Sequence, residues 1–68
     1  MKLWIARDFD GDLNLYVNKP LLHHINKMYY TIASDMEADY LNIDKDSFPE
    51  VTFENSPQQV EIKLIKEE

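Results

Sequence analysis

The sequence predicts a mostly β fold, a small antiparallel sheet or partly open barrel of about five strands. Two stretches of alternating apolar and polar residues, 2–8 and 12–17, flank a short loop that ends in Gly11. Two further segments, 29–32 and 40–43, are rich in tyrosine and isoleucine, which favour strands. Residues 60–64 alternate again. Such short runs, separated by polar turns, are typical of antiparallel β structure.

The first hairpin is the best-defined element. Its loop, Phe9-Asp10-Gly11, fits a type I turn followed by a G1 bulge, because glycine adopts the left-handed conformation at little cost. This loop length sets the register of the two strands. On one face it pairs Leu3 with Val17, Ile5 with Leu15 and Arg7 with Leu13, and on the other it pairs Trp4 with Tyr16 and Ala6 with Asn14. We expect the aliphatic face to be the core.

Residues 21–34 permit two interpretations. A helical stripe is formed by Leu21, Ile25, Met28, Tyr29 and Ile32, and Pro20 suits the start of a helix. The strand-forming residues 29–32, repeated at 40–43, favour a second hairpin instead. If the helix forms, the fold is α+β. If the hairpin reading fails, the S-x-x-E capping box from Ser34 to Glu37 also starts a short helix.

Two proline-containing turns divide the rest of the chain. They are Phe48-Pro49 and Asn55-Ser56-Pro57, and proline disfavours both helix and central strand there. Between them, Val51-Thr52-Phe53 is expected to be a short extended piece. The last strand, 60–64, is amphipathic. We expect its apolar residues Val60, Ile62 and Leu64 to point inward and its charged residues Glu61 and Lys63 to point outward.

Sixty-eight residues suffice for one small domain, and we expect residues 1–68 to form it. Its core is small, and the absence of cysteine excludes disulfides, so a protein partner or a homo-oligomer is expected to add stability. The net charge of −6 argues against direct nucleic-acid binding and against anionic membranes. The longest apolar stretches are too short for a signal peptide or membrane span, so a cytoplasmic location is expected.

No catalytic or metal-binding motif accompanies the titratable residues. In Asp8-Phe9-Asp10-Gly11-Asp12 the glycine is fourth, whereas an EF-hand loop needs it sixth, so we interpret this segment as a turn. The adjacent His23 and His24 project in different directions and do not easily share one metal, which indicates a solvated pair. There is no G-x-S-x-G elbow, phosphate loop or H-E-x-x-H sequence. We expect no enzymatic activity, no cofactor and no metal.

Trp4 and Tyr16 stand opposite each other on the face away from the expected aliphatic core. The two rings either pack beneath a second layer of the domain or lie exposed as a contact patch for a partner. Both interpretations are compatible with the sequence.

Acidic residues cluster near the expected turns. The clusters are Asp8, Asp10 and Asp12, then Asp35, Glu37 and Asp39, then Asp44, Asp46 and Glu50. Alternate residues of a strand project the same way about 6.6 Å apart, so such an acidic surface resembles a row of phosphates. A solvated, turn-rich surface is the other interpretation, because aspartate is a favoured turn residue.

Motifs at the two ends of the chain resemble those of small proteins from bacterial, phage or mobile-element genomes. The first is a W-x-A-R-D-x-x-G-x-L pattern from Trp4 to Leu13, and the second is the FPEVTFENSP sequence at 48–57. That group has no known activity, so the resemblance implies an origin rather than a chemistry.

These features predict a non-enzymatic protein-interaction module, such as an inhibitor or accessory protein of a phage or mobile element. The alternative is an acidic nucleic-acid mimic that blocks a basic DNA- or RNA-binding surface.

Overall fold

A computed structural model of the chain describes residues 2–32 and 40–62. The strands are β1 (Lys2–Arg7), β2 (Leu13–Tyr16), β3 (Leu21–His23), β4 (Met28–Tyr30), β5 (Tyr40–Ile43) and β6 (Gln58–Glu61). A four-stranded antiparallel sheet has the order β5-β2-β1-β6, and β3 and β4 form a second sheet. The described residues contain no helix, and neither sheet closes into a barrel. The mostly β prediction is therefore confirmed, in the form of open antiparallel sheets.

The hairpin β1–β2 has the predicted turn and register. Trp4 pairs with Tyr16, Ile5 with Leu15, Ala6 with Asn14 and Arg7 with Leu13. The N–H of Gly11 donates to the carbonyl of Asp8 at 2.9 Å, and the N–H of Asp8 donates to the carbonyl of Asp12 at 2.8 Å. Gly11 has a φ of +102°, and a Cβ there would meet nothing within 4 Å. Glycine is therefore required by the backbone conformation of the bulge rather than by crowding.

The second hairpin forms, but its strands are not the predicted ones. β3 pairs with β4, whereas β5 pairs with β2 and extends the main sheet. The predicted pairing of 29–32 with 40–43 is therefore wrong. β5 pairs with β2 because this register matches apolar residues with each other, Leu41 with Leu15 and Ile43 with Leu13.

The helix predicted as the alternative for 21–34 is not present in its described part, residues 21–32. The turn between β3 and β4 has no glycine, and Lys27 takes the left-handed conformation with a φ of 55°. Its N–H donates to the carbonyl of His23 at 2.8 Å. The residues of the expected helical stripe do not share one buried face. Tyr29 is buried, whereas Leu21, Met28 and Ile32 are exposed. The capping box at Ser34 lies outside the described residues.

Both faces of the four-stranded sheet carry apolar clusters. On the first face, the side of Leu3 and Ile5, a buried cluster contains Ile5, Leu13 and Val51, with Leu15, Ile43 and Val60 packed against it. On the second face, the side of Trp4 and Ala6, the cluster contains Ala6, Tyr16 and Tyr29, with Trp4, Leu22 and Phe53 packed against it. The hairpin β3–β4 covers the second face. The connection 44–57 covers one end of the first face through Val51.

Arg7, the chain's only arginine, holds that connection in place. Its guanidinium donates to five backbone carbonyls and so uses all five of its N–H groups. The acceptors are Val51 at 2.6 Å, Gly11 at 2.8 Å, Lys45 at 2.9 Å, Ser47 at 3.1 Å and Phe48 at 3.2 Å. The N–H of Arg7 also donates to the hydroxyl of Ser56 at 2.9 Å. One side chain therefore joins the hairpin loop to most of the connection 44–57.

The two proline turns lie within this connection. Phe48 has a φ of 49°, and its carbonyl accepts from the N–H of Val51 at 2.9 Å, as expected for a turn at Phe48-Pro49. Residues 51–53 belong to neither sheet, so the connection continues as loop rather than strand. β6 begins at Gln58, two residues before the predicted start.

In the last strand the predicted orientation holds for Val60, which packs on the first-face cluster, and for the exposed Glu61. Ile62 lies on the same side as Val60 and lines a surface with Leu3, but it is 46% exposed rather than buried, because the cover over the first face does not extend to this end of the sheet. Lys63 and Leu64 lie outside the described residues.

Replacing Arg7 by lysine is expected to lower the free energy of unfolding by about 2 kcal/mol or more. Lysine has a single ammonium with three N–H groups, so at least two of the five carbonyls lose their donor. Urea unfolding monitored by Trp4 fluorescence measures the change. Lys2→Arg, a Lys/Arg exchange at an exposed strand position, is the matched control and is expected to change stability by less than about 0.5 kcal/mol. Equal effects of the two substitutions would contradict the role assigned to Arg7.

Candidate functional site

Three of the predicted acidic residues meet at the first hairpin turn. Carboxylate oxygens of Asp8, Asp10 and Asp12 lie within 4.8 Å of one another. Asp10 and Asp12 are exposed, and an oxygen of Asp10 accepts from the N–H of Asp12 at 3.1 Å. Such a bond within the turn is typical of aspartate in turns. The turn interpretation of this segment is confirmed.

Asp8 differs from its two neighbours because it is buried, with 3% of its surface exposed. Its Oδ1 accepts from the N–H of Tyr29 at 2.7 Å, so the carboxyl connects the main sheet to the hairpin β3–β4. Burial raises the pKa of Asp8 above its ordinary value of 3.8, the bond from Tyr29 lowers it, and the charges of Asp10 and Asp12 raise it further. Asp8 therefore joins two parts of the fold and is not part of an acidic surface.

Of the other two predicted acidic clusters, Asp35, Glu37 and Asp39 lie outside the described residues, whereas Asp44, Asp46 and Glu50 are all exposed. The acidic surface that these residues would form stays a prediction.

Asp8→Asn is expected to make the protein more stable than the wild type at neutral pH. Because folding raises the pKa of Asp8, the protonated carboxyl stabilises the folded state below pH 3.8. This stabilisation is lost as the pH rises through the pKa that Asp8 has in the folded protein. Asparagine keeps an acceptor for Tyr29 without the buried charge. Urea unfolding measures the free energy of unfolding of both proteins from about pH 4 to pH 7. We expect the variant to gain stability relative to the wild type as the pH rises.

Two further variants separate charge from hydrogen bonding. Asp8→Ala removes the acceptor of the Tyr29 N–H and is expected to cost about 1 to 3 kcal/mol. Asp46→Asn removes an exposed carboxylate and serves as the matched control, with little expected change. If the free energy of unfolding of Asp8→Asn, relative to that of the wild type, falls as the pH rises, the raised pKa of Asp8 is contradicted.

Trp4 and Tyr16 do not form the exposed contact patch that was one of the two expectations. Tyr16 is 3% exposed, and its hydroxyl donates to the carbonyl of Tyr29 at 3.3 Å. Trp4 is half-buried, and the Nζ of Lys19 lies 5.4 Å from its ring centroid. The hairpin β3–β4 forms the second layer over this face, so the Tyr16 ring belongs to the core.

The histidine pair lies at the outer hairpin. His23 and His24 are both exposed, in agreement with the expectation of a solvated pair. The Nδ1 of His23 accepts from the N–H of Asn26 at 3.5 Å, and its ring lies 6.1 Å from that of Tyr30. Local contacts therefore account for His23.

The feature with functional potential is an apolar groove at the uncovered end of the first face. We call it the open groove, and it encloses about 300 Å³. Leu3, Leu15, Val17, Leu41 and Ile62 line it, and Tyr16 and Tyr40 border it. Among these described residues none is charged. The open groove is an apolar depression on a sheet surface.

The open groove exists because the connection 44–57 reaches only one end of the sheet. Ile5 and Leu13, beneath Val51, are 2% and 0% exposed, whereas Val17 and Leu41 are 61% and 63% exposed. The sequence places Val17 on the aliphatic core face, and the pairing of β1 and β2 puts it at the far end of that face. The expectation that the whole aliphatic face is core is therefore wrong for Val17.

A signal for the open groove is present in the sequence. The apolar side of the first hairpin extends from Leu3 and Val17 to the loop. One short connection cannot cover its whole length. The sequence does not indicate Leu41 as part of the lining, because residues 40–43 pair with β2 and not, as predicted, with 29–32. With β5 placed beside β2, Leu41 stands opposite Leu15 and the groove lining is apparent.

No helix of the described residues is long and apolar enough to cross a membrane.

Comparison with known proteins yields no relative. No protein-family model matches the chain, and neither a curated protein nor a solved structure is significantly similar to it. The open groove is therefore the starting point for function.

Proposed function

We propose that this chain is a non-enzymatic protein-interaction domain that binds a protein partner through the open groove. The observation that carries the proposal is the combination of apolar lining and exposure in residues of one sheet face. Leu41 in β5 is 63% exposed, and Val17 and Ile62, which directly follow β2 and β6, are 61% and 46% exposed. Contiguous apolar surface of this kind on a small domain is typical of a contact site.

The energy available from this surface is sufficient for specific binding. Covering an exposed leucine or valine side chain removes apolar area from water at about 25 cal/mol per Å², or roughly 1 to 2 kcal/mol for each of these residues. Leu3, Leu15 and Leu41 belong to paired strands, so their backbone is already ordered before binding. A preorganised surface loses less conformational entropy on association than a loop does.

The chemistry of the lining supports binding rather than catalysis. Among its described residues are aliphatic side chains and two bordering tyrosines, with no carboxylate, imidazole, amine or aliphatic hydroxyl. Such a lining has no general acid or base with a pKa near neutrality. It recognises apolar side chains of a partner by shape and by exclusion of water.

The resemblance of the two end motifs to small phage and mobile-element proteins is the basis for the biological setting that we propose. In that setting the chain acts as an accessory or inhibitory protein. The resemblance carries no residue role, and the contact site is assigned from the groove alone.

The acidic-mimic alternative has less support among the described residues. Of the first acidic cluster, Asp8 is buried and engaged by Tyr29, which leaves Asp10 and Asp12 at the surface. Two neighbouring carboxylates on one turn do not make a row of phosphate-like charges. Asp44, Asp46 and Glu50 are exposed in the connection 44–57, and mimicry stays a prediction that depends on them together with Asp35, Glu37 and Asp39.

A photoreactive benzoylphenylalanine at position 41, placed in the producing cell, is expected to cross-link a protein partner in high yield. The matched control carries it at position 48, where Phe48 is 52% exposed at the covered end of the sheet, close to the 63% of Leu41. Mass spectrometry of the adducts measures both yields. Equal yields at the two positions, or none at position 41, would contradict binding through the groove.

A further inference from the structure

We infer that the occupant of the open groove is a second copy of this chain, with two four-stranded sheets packed face to face. This inference rests on the proposed function and names the partner. In such a dimer the open groove of one copy covers that of the other about a two-fold axis. Face-to-face packing of antiparallel sheets places them about 10 Å apart, with the two sets of side chains interdigitated.

The exposed area of the groove approaches the lower limit for a specific dimer. The fractional exposures of Val17, Leu41 and Ile62, with the partly exposed Leu3 and Leu15, correspond to roughly 400 Å² per copy, within the roughly 300 to 600 Å² of an apolar patch that is often a functional site. Two copies contribute roughly 800 Å² before the rim is counted. A specific interface has roughly 1,000 Å² or more, so the rim of the groove has to supply the remaining roughly 200 Å².

The charge distribution permits two copies to meet at this surface. Each chain has a net charge of −6, so most contacts between copies place like charges together. The groove lining is uncharged in the part of the chain that the structure describes. In a two-fold interface each patch faces its own copy, and an uncharged apolar patch does so without repulsion between like charges. Association therefore desolvates no carboxylate in the groove.

The small core gives dimerisation a stabilising role. The buried apolar residues of the described chain are Ile5, Ala6, Leu13, Tyr16, Tyr29 and Val51. Domains of about 70 residues have little stability to spare from a core of this size. A second sheet over the first face completes a sandwich and favours the folded state by mass action.

Sedimentation equilibrium on the purified full chain tests the inference over roughly 1 to 100 µM. The expected result is a reversible dimer with twice the 8.1 kDa mass of the chain. Leu41→Glu is expected to weaken the dimer by roughly 100-fold, because a carboxylate enters an apolar contact. Ile25→Glu, the same change at an 89% exposed position of the β3–β4 turn, is expected to leave the dimer unchanged.

The salt dependence of binding distinguishes a second copy of this acidic chain from a basic partner, because salt weakens the attraction between opposite charges. Adding sodium chloride screens the repulsion between two chains of charge −6, so the dimer is expected to tighten. Circular dichroism confirms that the variants keep their β structure. A wild-type chain that is monomeric at every concentration would overturn the inference, as would a dimer that Leu41→Glu leaves intact.

Isotope labelling identifies the occupant. When ¹⁴N and ¹⁵N chains carrying the photoreactive residue at position 41 are mixed, a second copy yields cross-linked dimers of mixed isotope content. Adducts confined to one chain would overturn the inference in favour of residues 63–68 of the same molecule. A monomeric wild type whose position 41 captures a different protein would also overturn it, while leaving the proposed groove function intact.

Discussion

The guanidinium of Arg7 is the interaction on which the arrangement of the first face depends. It donates to five backbone carbonyls, from Gly11 in the hairpin loop to residues 45–51 of the connection. Because those acceptors are carbonyls, the cation orders a segment that has no regular secondary structure and holds Val51 over Ile5 and Leu13. The same constraint determines where the cover ends. Past Leu15 nothing described lies over the sheet, and the open groove begins.

The second face is closed by a different kind of link. There the buried carboxyl of Asp8 accepts from Tyr29, and the Tyr16 hydroxyl donates to the Tyr29 carbonyl, so the hairpin β3–β4 is attached through its own backbone. The Tyr29 hydroxyl in turn lies 2.8 Å from the carbonyl of Ser56. Tyr29 therefore connects the hairpin to the connection 44–57 as well as to the main sheet. Among the described residues, the second face is therefore closed and the first face is half open, which leaves apolar side chains exposed at the open groove.

The elements that sequence reasoning recovers are those set by local rules. The β1–β2 register follows from one loop length, one glycine and period-2 alternation, all within 16 residues. The partner of β5 depends on contacts far apart in sequence, and the β3–β4 turn depends on Lys27 adopting a conformation that its side chain does not signal. Arg7 was unpredictable as an anchor because carbonyl acceptors occur at every residue. The boundary of the open groove is unpredictable for the same reason, since it lies where the cover held by Arg7 ends, whereas its Leu41 lining depends on the partner of β5.

We propose that one end of the first face is core and the other end is an interface. Isotope-filtered nuclear Overhauser spectroscopy on a mixture of ¹³C-methyl-labelled and unlabelled full-length chain tests it directly. The account predicts intermolecular contacts from the methyl groups of Val17 and Leu41, and only intramolecular contacts from Val51, which packs on Ile5 and Leu13. Intermolecular contacts at Val51, or their absence at Val17 and Leu41, would contradict it.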